Sequence, residues 1–183
     1  MAKRGKLIVI DGVDGSGKNT QADLLIRRLR REGKKVKIMD FPRYNDNFFG
    51  KFIGHCLSEQ YYNWTHIHPK IASIVYAADR FEAKKQIEKW LKAGYVVILD
   101  RYISSNQIHQ GGKIANVKKR EAFLKWLAEM EYKVFRIPVP DLTIYLSLPL
   151  DLVMKLIKER NKQKGRAYLK GKKDAHEKDK KFK

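Results

Sequence analysis

Apolar positions along the chain fall into two alternating patterns. Four short runs are continuously apolar and rich in β-branched residues: KLIVID (6–11), KVKIMD (35–40), YVVILD (95–100) and LTIYLSL (142–148). Continuous runs of this length predict strands buried on both faces of a parallel sheet. Longer amphipathic stretches separate them. NTQADLLIRRLRREG (19–33) spaces Ala22, Leu25, Ile26 and Leu29 along one helical face and stops at Gly33. PKIASIVYAADRFEAKKQIEKWLKAG (69–94) opens with Pro69 and closes with Gly94, the marks of a second long helix. Strand–helix alternation predicts a three-layer α/β fold, a parallel sheet flanked by helices with right-handed crossovers.

Composition narrows the class. At 183 residues, with 43% hydrophobic and 11% aromatic content, the chain is expected to form one globular domain over residues 1–183. The single cysteine, Cys56, excludes an internal disulfide and suits a reduced thiol. The LIVI run near the start is too short for a signal peptide, and no stretch is long enough for a membrane span. A soluble, cytoplasmic protein without a membrane partner is expected. The net charge of +20 would attract polyanions. Its lysines and arginines are spread along the whole chain, which favours a solvated basic surface with nucleotide partners over specific nucleic-acid binding. NKQKGRAYLKGKKDAHEKDKKFK (161–183) reads as a basic loop entering an incomplete helix.

The first run leads into GVDGSGKNTQ (12–21), and a helix follows. Gly12-x-x-x-x-Gly17-Lys18 in that context matches a phosphate-binding loop up to its last position. Gly12, Val13, Asp14, Gly15, Ser16, Gly17, Lys18, Asn19 and Thr20 are the expected ATP-binding residues. The glycines let backbone N–H groups turn toward phosphate oxygens at the positive end of the helix, and Lys18 adds a point charge. Asn19 stands where the motif has Ser or Thr. Its amide oxygen is a legitimate hard ligand for Mg²⁺, directly or through a water, so it is expected to tune metal binding without abolishing it. Thr20 points elsewhere around the helix.

GVDGSGKNTQ, DFPRY (40–44), YAADRFE (76–82), DRYISSNQIHQGGK (100–113) and PDLTIYLSLP (140–149) follow in an order and spacing that resemble thymidylate kinases, over almost the whole chain. The resemblance implies transfer of the γ-phosphoryl of ATP to dTMP with Mg²⁺, and a likely-sized P-loop kinase domain. It implies that Asp14 accepts a hydrogen bond from the sugar 3′-hydroxyl and that Arg101 grips the acceptor phosphate. Asp100, ending the third strand, suits the hydration shell of Mg²⁺, and Arg101 could otherwise be its salt-bridge partner. Tyr76 and Arg80, one turn apart, suit a flat pyrimidine: the ring stacks and the guanidinium reaches a carbonyl edge. Tyr76 could equally be core. Phe41 and Arg43 follow the second strand, with Arg43 a second phosphate clamp. Ser105 and Gln110 resemble base and sugar contacts, and His109 stands where Phe or Tyr is usual, which bears on the choice of deoxyribose over ribose.

A lid at about 160–176 supplies Arg166, first, or Arg160 as the cation over the γ-phosphate, because Gly15 occupies the place of a loop arginine in some relatives. Relatives also continue into a further helix and strand, so the C-terminal strand is expected to be missing, and they commonly dimerise. The apolar faces around 48–60 and 70–90 allow a homodimer. His66 and His68 read as loop residues, and Trp64, Trp90 and Trp126 as packing. The competing reading is a catalytically impaired basic protein that binds nucleotides or nucleic acid; another pyrimidine acceptor is the alternative within the kinase class.

Overall fold

A computed structural model describes residues 4–58, 61, 63–149 and 151–156. Among them the elements run β1 (Leu7–Gly12), α1 (Lys18–Arg31), β2 (Val36–Asp40), α2 (Phe48–Leu57), a 3₁₀ turn (Trp64–His66), α3 (Pro69–Lys92), β3 (Val96–Asp100), α4 (Ile103–Gly111), α5 (Val117–Ala128), a π-helical turn (Glu129–Val134) and β4 (Leu142–Leu146). All four expected strands form. They pair in parallel in the order β2-β3-β1-β4, with Ile8 opposite Ile98 and Leu142, and Ile38 opposite Ile98 from the other side.

The contacts divide the described residues into two compact units. The first, residues 4–41, 83–102 and 138–156, holds the sheet, α1 and the last turns of α3. Its core is aliphatic: Ile10, Ala22, Ile26, Val36 and Ile98 pack with Leu25 and Leu29. The apolar stripe of α1 therefore faces the sheet as its spacing predicts. At the start of β4, Asp141 accepts hydrogen bonds from the Leu7 N–H at 2.8 Å and Lys6 Nζ at 2.9 Å, which sets the β1–β4 register from one end. Those bonds hold its carboxyl down at about 2.

One expectation needs correction. The run in β4 is not buried on both faces: Leu142 and Tyr145 stay 51% and 46% exposed, and Ile38 of β2 is 45% exposed. β1 and β3 occupy the middle of the described sheet and are almost wholly buried, whereas β2 and β4 are its outer strands. A run of apolar residues cannot distinguish a central from an outer strand, because what differs is the neighbours.

The second unit, residues 42–82 and 103–137, is helical and more aromatic. Ile53, Cys56, Leu57, Trp64 and Ala72 form one cluster with Tyr76 at its margin, and Ala77, Phe123, Leu127 and Met130 form another. Cys56 is buried in the first, and desolvation pushes its thiol up to about 11. Exposed Ile71, Ile74 and Phe81 line one stripe of α3, and Phe48 of α2 is also exposed. No helix among the described residues is long and apolar enough to cross a membrane.

Candidate active site

The loop between β1 and α1 is shaped by what its backbone must do. Gly12 has φ 148°, and a Cβ there would sit 2.5 Å from the Leu146 carbonyl oxygen, so β4 comes too close for any side chain. Gly17 has φ 82° and takes the N-cap position of α1 without offering a side-chain cap. The other helices differ: Asn47 caps α2 through the Gly50 N–H at 2.9 Å, and Asn116 caps α5 through the Lys119 N–H at 3.0 Å. α1 also lacks acidic residues in its first turn. Its N-terminal amides are therefore left for an external anion, and the helix dipole favours one.

Lys18, the first residue of α1, is only 6% exposed and folds back over the loop, donating to the Gly12 and Val13 carbonyl oxygens at 3.0 Å each. Burial and the neighbouring Arg101 bring its ammonium down to about 8. A group held this way gains from any phosphate that restores its charge.

The carboxyl end of β3 carries the second half of the charge arrangement. Arg101 has φ 67°, rare for a residue with a side chain, and the turn aims its guanidinium back at the loop. Its Nη2 donates to Asp14 Oδ1, and Nη1 lies 3.8 Å from Asp11 Oδ1. Asp11 in turn accepts from the Gly12 N–H at 2.8 Å. The sequence marked Arg101 and Asp14 separately; the structure joins them.

Asp100 keeps one buried oxygen, Oδ1, without a hydrogen-bond partner among the described residues. Desolvation raises its pKa, while Lys18 and Arg101 pull the other way. A buried carboxylate oxygen facing no donor fits a cation's hydration shell. Among the described residues no three His, Cys, Asp or Glu side chains gather into a metal cluster. That suits Mg²⁺, which takes one or two carboxylates and completes its shell with water and phosphate, and it does not suit a protein-enclosed metal. Asn19 and Thr20 are exposed on the first turn of α1.

In the helical unit, Arg80 is 3% exposed and meets Glu131, fully buried, through two bonds: Nε to Oε2 at 2.7 Å and Nη2 to Oε1 at 2.6 Å. Tyr76 is half-buried and its hydroxyl accepts from Trp64 Nε1 at 3.0 Å. Arg43 pairs with Asp46 at 2.8 Å, and its N–H reaches Asp79 Oδ2 at 3.2 Å. Along α4, Asn106 and Gln110 are buried one turn apart, and Ser105 and His109 are half-buried on the adjoining face. Phe41, in the sheet unit, is a core ring 5.9 Å from Tyr102. His66 bonds Asn63 at 2.8 Å in the 3₁₀ turn, and Trp126 and Trp90 lie under Lys70 and Lys37. Arg160, Arg166 and the lid lie outside the described residues.

A sequence model described as thymidylate kinase matches residues 10–182. This chain belongs to the thymidylate kinase family. The chain is 36% identical over 159 residues to the probable thymidylate kinase of Pyrococcus horikoshii, covering 86% of this chain and 72% of that one. It is 30% identical over 152 residues to the thymidylate kinase of Mycobacterium tuberculosis, covering 80% and 67%. A solved thymidylate kinase from Candida albicans superposes with a TM-score of 0.67 at 31% identity, covering 83% of this chain and 67% of that one. The family's P-loop kinase fold thus matches the described sheet and helices.

Glu131, Asn106, Asp79 and Asp11 were not singled out from sequence. Glu131 did leave a signal: Phe123, Leu127 and Glu131 are four residues apart, a carboxylate continuing a buried apolar stripe.

Proposed function

We propose that this chain phosphorylates dTMP to dTDP using ATP and Mg²⁺, as a single P-loop kinase domain acting in the cytoplasm as a homodimer. Membership of the thymidylate kinase family supports the reaction. The observation that carries it at the residue level is the uncapped start of α1 with Lys18 strapped across the loop and Arg101 turned toward Asp14.

In this reading Lys18 and the loop amides of 12–20 hold the ATP phosphates, and Arg101 grips the acceptor phosphate, exchanging its bond to Asp14 for the stronger anion. Released, Asp14 accepts from the sugar hydroxyl. Arg43 makes a similar exchange from Asp46. Tyr76 and Arg80 take the base, with Ser105, His109 and Gln110 beside it and Phe41 backing the site. Asp100 and Asn19 would hold hydrated Mg²⁺, which neutralises phosphate charge when bound. The chain's own contribution is positioning and charge stabilisation, because in-line phosphoryl transfer needs little covalent chemistry from the protein. Arg166 or Arg160 completes the charge over the γ-phosphate. The exposed apolar stripe Ile71, Ile74 and Phe81 supports self-association, to be checked by sedimentation of the full chain.

The deciding assay is dTMP-dependent release of ADP with Mg²⁺. It should appear in the native chain and fall by on the order of 10³-fold in Lys18→Ala. A chain that instead bound nucleic acid with steep salt dependence, and did so equally well as Lys18→Ala, would overturn the kinase reading.

A further inference from the structure

Glu131 does more than neutralise Arg80. It lies in the π-helical turn that continues α5, where the Phe135 N–H bonds the Met130 carbonyl at 2.9 Å, five residues back. From there its carboxylate holds two elements at once. Two bonds fix the Arg80 guanidinium of α3, and Oε1 also accepts from Asn106 Nδ2 of α4 at 3.2 Å. The same Nδ2 donates to the Ser73 carbonyl oxygen at 3.2 Å. Both partners of the Asn106 amide are pure acceptors, so only its NH₂ end can face them. The carbonyl end is thereby forced the other way, and Asn106 Oδ1 is buried with no hydrogen-bond partner among the described residues. A buried acceptor left in this state is a place where a ligand's N–H gains a full hydrogen bond.

We propose that Glu131 is a positioning residue for acceptor-base choice: by pairing with Arg80 and Asn106 together it fixes the direction of the Asn106 amide, and so selects a base carrying an imide N–H. This rests on the kinase reading for the identity of the acceptor. Thymine offers an N3–H to Asn106 Oδ1 and a flanking carbonyl to Arg80. Cytosine offers a bare ring nitrogen and an amino group, which leaves acceptor against acceptor and donor against donor. A site built around hydrogen bonds of fixed direction rejects such an analogue strongly. Replacing Glu131 by Gln would remove the direction. A glutamine can turn its own NH₂ toward Asn106, the asparagine amide can then flip, and a donor faces the base instead.

The test compares native chain, Glu131→Gln and Glu131→Asp for dTMP and dCMP, in steady-state kinetics and by calorimetric binding, with ATP saturating. Glu131→Gln should raise the KM for dTMP by about 10- to 100-fold, the loss of one hydrogen bond to a charged group. Its kcat and its KM for ATP should change little, and the preference for dTMP over dCMP should collapse. Glu131→Asp, which keeps the carboxylate, should recover part of that preference. A parallel loss for both acceptors, or an unchanged preference, would show Glu131 to be structural only. One measurement needs no variant: N3-methyl-dTMP should bind the native chain at least about tenfold more weakly than dTMP, and equal binding would sink the assigned amide direction. If the native chain turns over neither acceptor yet binds dTMP ahead of dCMP and ahead of the N3-methyl analogue, the kinase reading fails and the role of Glu131 stands. Binding of neither nucleotide removes both.

Discussion

Two arginines show how differently one side chain can be installed. Arg80 is sealed in the helical unit, its fork committed to Glu131 by two short bonds, with both partners almost fully buried. Arg101 ends an inner strand of the sheet unit, remains 17% exposed, and leans on Asp14 with Asp11 further off. A buried ion pair is costly to break and changes little in geometry, whereas a partly solvated one can trade partners. A permanent pair suits a residue that must present one fixed edge. An exchangeable pair suits a residue that must receive a charged group and release it.

That contrast can be broken from either side. Arg80→Ala should have the largest effect on stability, about 3–5 kcal/mol, because Glu131 is left buried and unpaired. Denaturant unfolding checks it, and replacing Arg80 and Glu131 together by Met should recover most of the loss. Arg101→Ala should do the reverse. Its activity with dTMP should fall by on the order of 10²-fold, with a melting temperature within a few degrees of the native chain.

A third expectation concerns Lys18, whose ammonium titrates at about 8 in the free protein. Phosphate favours the charged form, so nucleotide binding takes up a proton, and ATP affinity should fall by up to tenfold per unit as pH rises above 8. Calorimetry in buffers of different ionisation enthalpy would read that proton directly. The smallest effect belongs to Asp79, which burial raises to about 6 from 3.8. The native state binds the extra proton between those values, so stability should decline as pH climbs from about 4 to 6 and then level off. Asp79→Asn should flatten that decline in a series of melts.

Much of the phosphate arrangement was legible in the chain because it is local. Gly12, Gly17, Lys18, Asp100 and Arg101 follow strands whose apolar runs announce themselves, and the chemistry sits where each run ends. What could not be read is the pairing across distance. Nothing in YAADRFE says that Arg80 will meet a carboxylate 51 residues later, and nothing in DRY says that Arg101 will turn back on Asp14. Exposure of β4 was hidden for the same reason, since a strand's surroundings are contributed by other segments. Only Glu131 left a trace, as a charge in line with Phe123 and Leu127.

The wide turn at Glu129–Val134 has a consequence for how this chain tolerates change. A π turn holds one residue more than regular α-helix would use for the same arc. Deleting a single residue just ahead of it, such as Ala128, would let the helix close to ordinary pitch and swing everything that follows by roughly 100°. The peptide would remain helical and keep its composition, yet the carboxylate would leave its two clients. Length at that one place, more than sequence identity around it, is what a designer transplanting the segment would have to preserve.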